Sequence, residues 1–197
     1  RDDEEYIGEE DLGMVDNLSE RGSYDEGKRM AETIVANYAE TLGVDAKILR
    51  LFRTYGPRMK LNDGQMLPDF INNALDNKNL VIFGDEYFSS SFCYVSDCID
   101  AIKKMMDSNI AGPLNIGSDV RVNLADLAKK VIKQIGKDVD IEYTDEMLFV
   151  TPLCLPDISL AKEELGWMPV VSLDKGLEKT IYDLRASKGL MGPTSEN

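Results

Sequence analysis

Apolar residues recur at helical spacing from Asp25 to Leu42, where Met30, Ile34, Val35, Tyr38 and Leu42 form a stripe that Gly43 closes. The next apolar run, AKILRLF (Ala46–Phe52), is short and suits a buried strand. TYGPRMKLNDGQ, from Thr54 to Gln65, is a polar Gly/Pro/Asn loop, long for a mere connection. MLPDFINNALD then predicts a helix, NLVIFGD (Asn79–Asp85) a strand stopped by Gly84, and SFCYV (Ser91–Val95) a further apolar run. A helix from Ser96 or Asp97 to about Asp107 follows, then a strand in PLNIGS (Pro113–Ser118). Asn123 is placed to cap the helix LADLAKKVIKQIG, with Asp126 at its third position. VDIEYT (Val139–Thr144) returns as a strand. Gly166 ends a short helix in LPDISLAKEELGW, and Ser172 caps a last one in SLDKGLEKTIYDLR. Helices and strands alternate without an internal repeat, so the fold class is α/β.

Composition narrows the chemistry. The 197 residues suffice for one core. A net charge of −14 repels phosphate backbones and anionic lipid, so neither nucleic acid nor membrane is an expected partner, and no apolar run reaches membrane-spanning length. There is no histidine, which removes Ser-His and Cys-His catalysis and every histidine metal site. The cysteines Cys93, Cys98 and Cys154 lack zinc-ribbon or disulfide-framework spacing; they read as reduced thiols of a cytoplasmic protein, Cys93 and Cys98 as small buried residues, and no metal is expected. The opening RDDEEYIGEEDLGMVDN is acidic and aperiodic. It reads as a loop entered midway, so the chain reads as the C-terminal part of something longer.

One pair of residues invites a chemical reading. RGSYDEGKRMAET places Tyr24 four residues before Lys28 at the start of the first helix, so phenol and ammonium fall one turn apart on one face. Free tyrosine titrates near 10, and a neighbouring ammonium favours the phenolate, which could then accept a hydroxyl proton. Taken alone, such a pair usually decorates a solvated face.

Its context adds weight. RGSYDEGKR, LRLFRTYGPRM, NDG, VIFGD, SFCYVSD, GPLNIGS and LPDIS followed by AKEELGW occur in an order and spacing that resembles the extended short-chain dehydrogenase/reductase family of nucleotide-sugar enzymes. Within it, YDEGKR, TYGPRM, NDG and SFCYVSD look most like the UDP-glucuronate decarboxylases (UDP-xylose synthases), with the dTDP-glucose 4,6-dehydratases next. The resemblance covers Arg21 to Leu184. It implies the C-terminal part of a Rossmann-type doubly wound sheet plus a small α/β substrate-binding subdomain. Residues 1–20 would be the loop, 21–60 the end of the dinucleotide-binding domain, 61–186 mostly the nucleotide-sugar subdomain interleaved with the sheet, and 187–197 a flexible tail. It also implies that Tyr24 and Lys28 are the catalytic Tyr-x-x-x-Lys pair and touch NAD, Lys28 through the ribose. Arg53, Arg58, Phe83, Gly84 and Ser90 would border a UDP-sugar, although Phe83 and Tyr94 would equally suit core packing. The helix 25–42 would form a homodimer. The implied reaction is oxidation of UDP-glucuronate at C4, loss of CO2 from the resulting β-keto acid, and return of the hydride to give UDP-xylose.

The chain departs from that family in places. The Gly-rich turn that cradles the NAD pyrophosphate is absent, so this stretch alone is not expected to hold NAD or to be active. Arg53 stands where the family has Asn, Ser90 where it has Arg, and Cys154-Leu155 where it has Arg-Arg or Arg-Lys before Pro-Asp-Ile. A charge-assisted contact to phosphate contributes about 1.5–3 kcal/mol, so losing two or three would weaken binding by orders of magnitude. Two alternatives therefore stand beside the decarboxylase: a nucleotide-sugar 4,6-dehydratase or 4-epimerase, and a catalytically reduced homologue acting as a binding or assembly subunit.

Overall fold

A computed structural model describes residues 6–61, 64–144 and 155–191. The chain runs β1 (Tyr6–Ile7), α1 (Gly22–Leu42), β2 (Leu49–Leu51), β3 (Thr54–Tyr55), α2 (Met66–Leu75) and β4 (Leu80–Phe83). It continues through β5 (Ser89–Ser90), β6 (Cys93–Tyr94), α3 (Val95–Met106), β7 (Leu114–Ile116), β8 (Val122–Asn123) and α4 (Leu124–Ile135). β9 (Ile141–Thr144), β10 (Leu155–Pro156), α5 (Ser159–Leu165) and α6 (Leu173–Met191) complete it. β1 pairs with β10, β2 with β7, β3 with β6 and β4 with β9, all parallel, while β5 and β8 are antiparallel. Parallel strands covered by helices read as short apolar runs, which is the pattern of LVIF and LNI. The α/β class is as expected.

The most regular helix is α4. Leu124, Leu127, Ala128, Val131 and Ile135 bury one stripe at i, i+3, i+4, i+7 and i+11. The Asn123 side chain accepts the Asp126 N–H at 3.1 Å, and Gly136, at φ 76°, closes the helix with its N–H on the Ile132 carbonyl. That stripe meets Phe70 and Ile71 of α2 and Leu177, Ile181 and Leu184 of α6 in the larger core. A smaller core lies across β6, holding Cys93, Cys98, Ala101, Ile116, Ile158 and Trp167. Alternation along β6 divides the two, with Tyr94 in the first and Cys93 in the second. Asp97 ties α3 to the approach to α6: its Oδ2 accepts the Val170 and Val171 N–H groups at 3.0 and 2.9 Å. Its carbonyl takes the Trp167 indole N–H at 2.9 Å.

By contrast, α1 buries only Gly22. A Cβ at Gly22 would meet the Asn17 and Asp16 carbonyl oxygens at 2.8 and 2.9 Å, so the helix start is folded tightly onto the preceding turn. Further along, Arg50 forks onto Glu32 with both N–O distances at 2.8 Å, and Arg29 donates to the Leu12 carbonyl. The apolar stripe is not a core face in this chain. Met30, Ile34, Tyr38 and Leu42 are each about half exposed or more.

Two expectations change. The opening, read as a loop, contains β1, because Tyr6–Ile7 pairs with a segment far along the chain and the Ile7 carbonyl accepts from Asp157 N–H and Asn115 Nδ2. The last helix passes Ser187, where a flexible tail was expected, and continues to Met191. Lys188 explains this: its Nζ lies 2.6 Å from both Asn72 Oδ1 and Asp76 Oδ1, which pins the final turns to the end of α2. Asn62, Asp63 and Cys154 lie outside the described residues.

Candidate active site

The N-terminal turn of α1 carries the expected pair. Lys28 Nζ stands 5.5 Å from the Tyr24 ring centroid, and Arg21, the residue before the helix, places its guanidinium carbon 5.1 Å from the same centroid. Arg21 also pairs with Asp25 at 3.0 Å. Tyr24 is 57% exposed, and among the described residues Lys28 has no carboxylate within ion-pair distance. A ligand could therefore meet both side chains without displacing protein contacts.

Arg53 follows β2 at the carboxyl end of a parallel strand, where open α/β sheets place their ligands. Its carbonyl accepts the Cys93 N–H at 3.0 Å, and its guanidinium carbon lies 5.9 Å from the Phe92 ring centroid. Partial desolvation, and then the charge of Arg21, hold the Arg53 pKa below its ordinary value. The charge of Arg21 thus reaches Arg53. Beneath Arg53 is an aromatic layer. Phe92 and Tyr94 both meet Tyr55 edge to face, at 6.2 and 5.5 Å between centroids. Tyr55 is buried, its hydroxyl donating to the Leu173 carbonyl at 3.3 Å, and burial pushes its pKa up.

The other expected residues are spread around this group. Arg58 sits at φ 68°, and its backbone N–H donates to Asp183 Oδ2 at 2.7 Å, so α6 fixes the loop that presents its exposed side chain. Phe83 is 41% exposed and Gly84, at φ 114°, donates to the Thr144 carbonyl, so both are tied to β9 rather than to the Tyr24 group. Of the two aromatics that suited core packing, Tyr94 is in the core and Phe83 is not. Ser90 is 2% exposed within β5, with its hydroxyl 3.4 Å from the Ser91 carbonyl, and Leu155 is buried in β10.

Three residues went unseen in the sequence. Arg21 was legible in principle, three positions before Tyr24. Lys179, with Nζ 5.8 Å from the Tyr94 ring centroid, and Asp183 come from α6 and join the group only through tertiary packing. Among the described residues, no group of three His, Cys, Asp or Glu could hold a metal ion, and no helix is long and apolar enough to cross a membrane.

Known proteins are similar to this chain in sequence and in fold. A model of the NAD-dependent epimerase/dehydratase family matches residues 2–117. UDP-glucuronic acid decarboxylase 1 of Xenopus tropicalis is 37% identical over 177 residues, covering 90% of this chain and 42% of the relative. UDP-glucuronic acid decarboxylase 3 of Arabidopsis thaliana is 39% identical over 173 residues, 88% of this chain and 51% of the relative. Among solved structures, a UDP-glucuronic acid 4-epimerase from Bacillus cereus in complex with NAD superposes with a TM-score of 0.79 at 28% identity, covering 92% of this chain and 56% of that one. The chain spans about half the length of the curated relatives it matches.

Proposed function

The chain belongs to the NAD-dependent epimerase/dehydratase family, and from that premise we propose that it supplies the catalytic helix and the sugar-nucleotide side of an enzyme that decarboxylates UDP-glucuronate to UDP-xylose. The observation that carries this reading is the open Tyr24–Lys28 pair one helical turn apart, with Arg21 beside it. The phenol is the group that takes the C4 hydroxyl proton, and positive charge already stands next to the ring that would hold it. Bound NAD would supply the hydride acceptor for the same carbon. The residues present fit the nicotinamide-ribose end of that cofactor, since Tyr24 and Lys28 are exposed and Lys28 keeps its donors for ribose hydroxyls. The Gly-rich turn that would grip its pyrophosphate is not in the sequence.

Once C4 is a ketone, the carboxylate at C5 is β to it. Loss of CO2 leaves a carbanion delocalised into the carbonyl, and protonation followed by hydride return gives the pentose. Arg53 and Arg58, both exposed, are proposed to stand opposite the diphosphate of the UDP portion. Gly84 and Phe83 border the nucleotide, Phe83 by its exposed ring. The stripe Met30–Ile34–Tyr38–Leu42 suits pairing with the same helix of a second copy, and the helix 25–42 is proposed as the homodimer contact.

A 4-epimerase or 4,6-dehydratase is favoured by one observation: Ser90 and Leu155, at positions where the resemblance leads one to expect the family's arginines, are buried and bring no positive charge to a sugar carboxylate. The deciding experiment incubates the longest chain that the gene encodes with NAD and UDP-glucuronate, and in parallel with UDP-glucose, UDP-galactose and dTDP-glucose, and reads the products by mass spectrometry and proton NMR. UDP-pentose that disappears with Tyr24→Phe is the expected result. Products of unchanged mass but altered C4 configuration would establish the epimerase. No turnover of any nucleotide sugar would leave the binding or assembly subunit. Sedimentation of the same preparation, with and without Ile34→Glu, tests the dimer.

A further inference from the structure

The smaller core contains a feature that the nucleotide-sugar reading does not use. Cys93 on β6 and Cys98 in the first turns of α3 bring their sulfurs to 3.5 Å, although five positions separate them in sequence. Thr54 of β3 adds its hydroxyl oxygen 3.2 Å from Cys98 Sγ. The surrounding Ala101, Ile116, Ile158, Ala161 and Trp167 bring no acid or base. We propose that Cys93 and Cys98 are an oxidisable dithiol, a modification site that hydroperoxides convert to an intramolecular disulfide joining β6 to α3.

The geometry assigns the order of events. Hydrogen bonding with the Cys93 thiol and the Thr54 hydroxyl holds the Cys98 pKa below the ordinary thiol range, against burial and the nearby Asp97 carboxylate. Cys93 is pushed the other way and keeps its proton. Cys98 is therefore the attacking thiolate. Its sulfur takes one peroxide oxygen, the O–O bond breaks, and the departing hydroxide leaves as water, giving Cys98 sulfenic acid. Cys93 sulfur then attacks Cys98 sulfur and expels that oxygen as a second water. Two thiols and one hydroperoxide become one disulfide and two waters (or one water and one alcohol, for an alkyl hydroperoxide). The sulfurs must close from 3.5 Å to about 2.05 Å. Both residues are at most 2% exposed, so local opening of β6 against α3 paces the first step.

The test treats the full chain, under native conditions, with hydrogen peroxide. The product is alkylated in denaturant, digested, and read by mass spectrometry before and after dithiothreitol. The expected product is a peptide holding Cys93 and Cys98 that lacks two hydrogens, takes up no alkylating agent and recovers both thiols on reduction, while Cys154 is alkylated throughout. In Cys93→Ser, oxidation should stop at a dimedone-reactive Cys98; in Cys98→Ser, Cys93 should remain a thiol. The rate should rise with pH and level off below the pH expected of an ordinary thiol near 8.5. Full alkylation of Cys93 and Cys98 after peroxide, or a disulfide that uses Cys154, would overturn the proposal. So would oxidation seen only in denaturant.

Discussion

Two amphipathic helices of this chain have opposite fates. α4 is capped by Asn123, closed by Gly136, and buries its whole apolar stripe. α1 is longer and equally well closed by Gly43, yet it has no side-chain cap at its start and leaves Met30, Ile34, Tyr38 and Leu42 in solvent. Periodicity is present in both; a partner surface is present for one. The body holds α1 by a glycine turn and charged contacts, Arg50 with Glu32 and Arg29 with the Leu12 carbonyl. An apolar stripe thus announces a contact without saying whether the contact lies in the same chain. Here it stands on the helix that presents Tyr24 and Lys28.

Paired truncations put the largest strain on this comparison. Leu127→Ala in α4, at a fully buried site, should lower stability by about 2–5 kcal/mol, whereas Ile34→Ala in α1 should stay within about 0.5 kcal/mol. Urea unfolding of the isolated chain measures both, and a comparable loss at Ile34 would mean that the α1 stripe is packed in solution. Next in size is Gly176→Ala, which would drive a methyl into the Tyr55 phenol and the Tyr94 ring. A loss of about 1–3 kcal/mol is expected, visible as a lower thermal midpoint with disturbed near-ultraviolet tyrosine dichroism. Asn123→Ala removes the cap that α1 lacks and should cost about 1 kcal/mol by the same unfolding assay.

The smallest effect belongs to the tether of α1. The Arg50 fork holds the Glu32 carboxyl below its ordinary value of 4.5, so the pair stabilises the fold above that value and stops doing so as pH falls through the lower folded one. Glu32→Gln should therefore destabilise by at most about 1 kcal/mol at neutral pH. The gap between variant and wild type should close as pH falls from neutrality through the lowered Glu32 value. A gap that persists in acid would assign the tether to shape rather than charge.

What the sequence disclosed was local. Asn123, Gly43, Gly136 and Gly166 mark helix ends because a cap is settled within a few residues. Tyr24 and Lys28 were legible because one helical turn brings them together. Tyr6–Ile7 was not, since two residues make no period and their strand exists only against Leu155–Pro156. Lys188 gave no sign that it would hold the end of α6, and nothing near Arg53 foretold that the charge of Arg21 would reach it. The candidate site was thus half readable: the Tyr24–Lys28 pair, proposed as catalytic, is written in one turn of helix, while Lys179 and Asp183 arrive from the far end of the chain.

The strand pairing also bears on how fast this chain can reach its fold. Every parallel ladder joins segments separated by whole helices, and β1, at the start of the described chain, waits for β10 at Leu155–Pro156. Each such closure costs loop entropy before any contact repays it, so search time is set by topology rather than by helix formation. Helices α2, α4 and α6, which contact one another directly, can assemble while the β1–β10 ladder is still open. On refolding, helical dichroism should recover ahead of the signal of Trp167, which is buried only once α3, α5 and β7 have met.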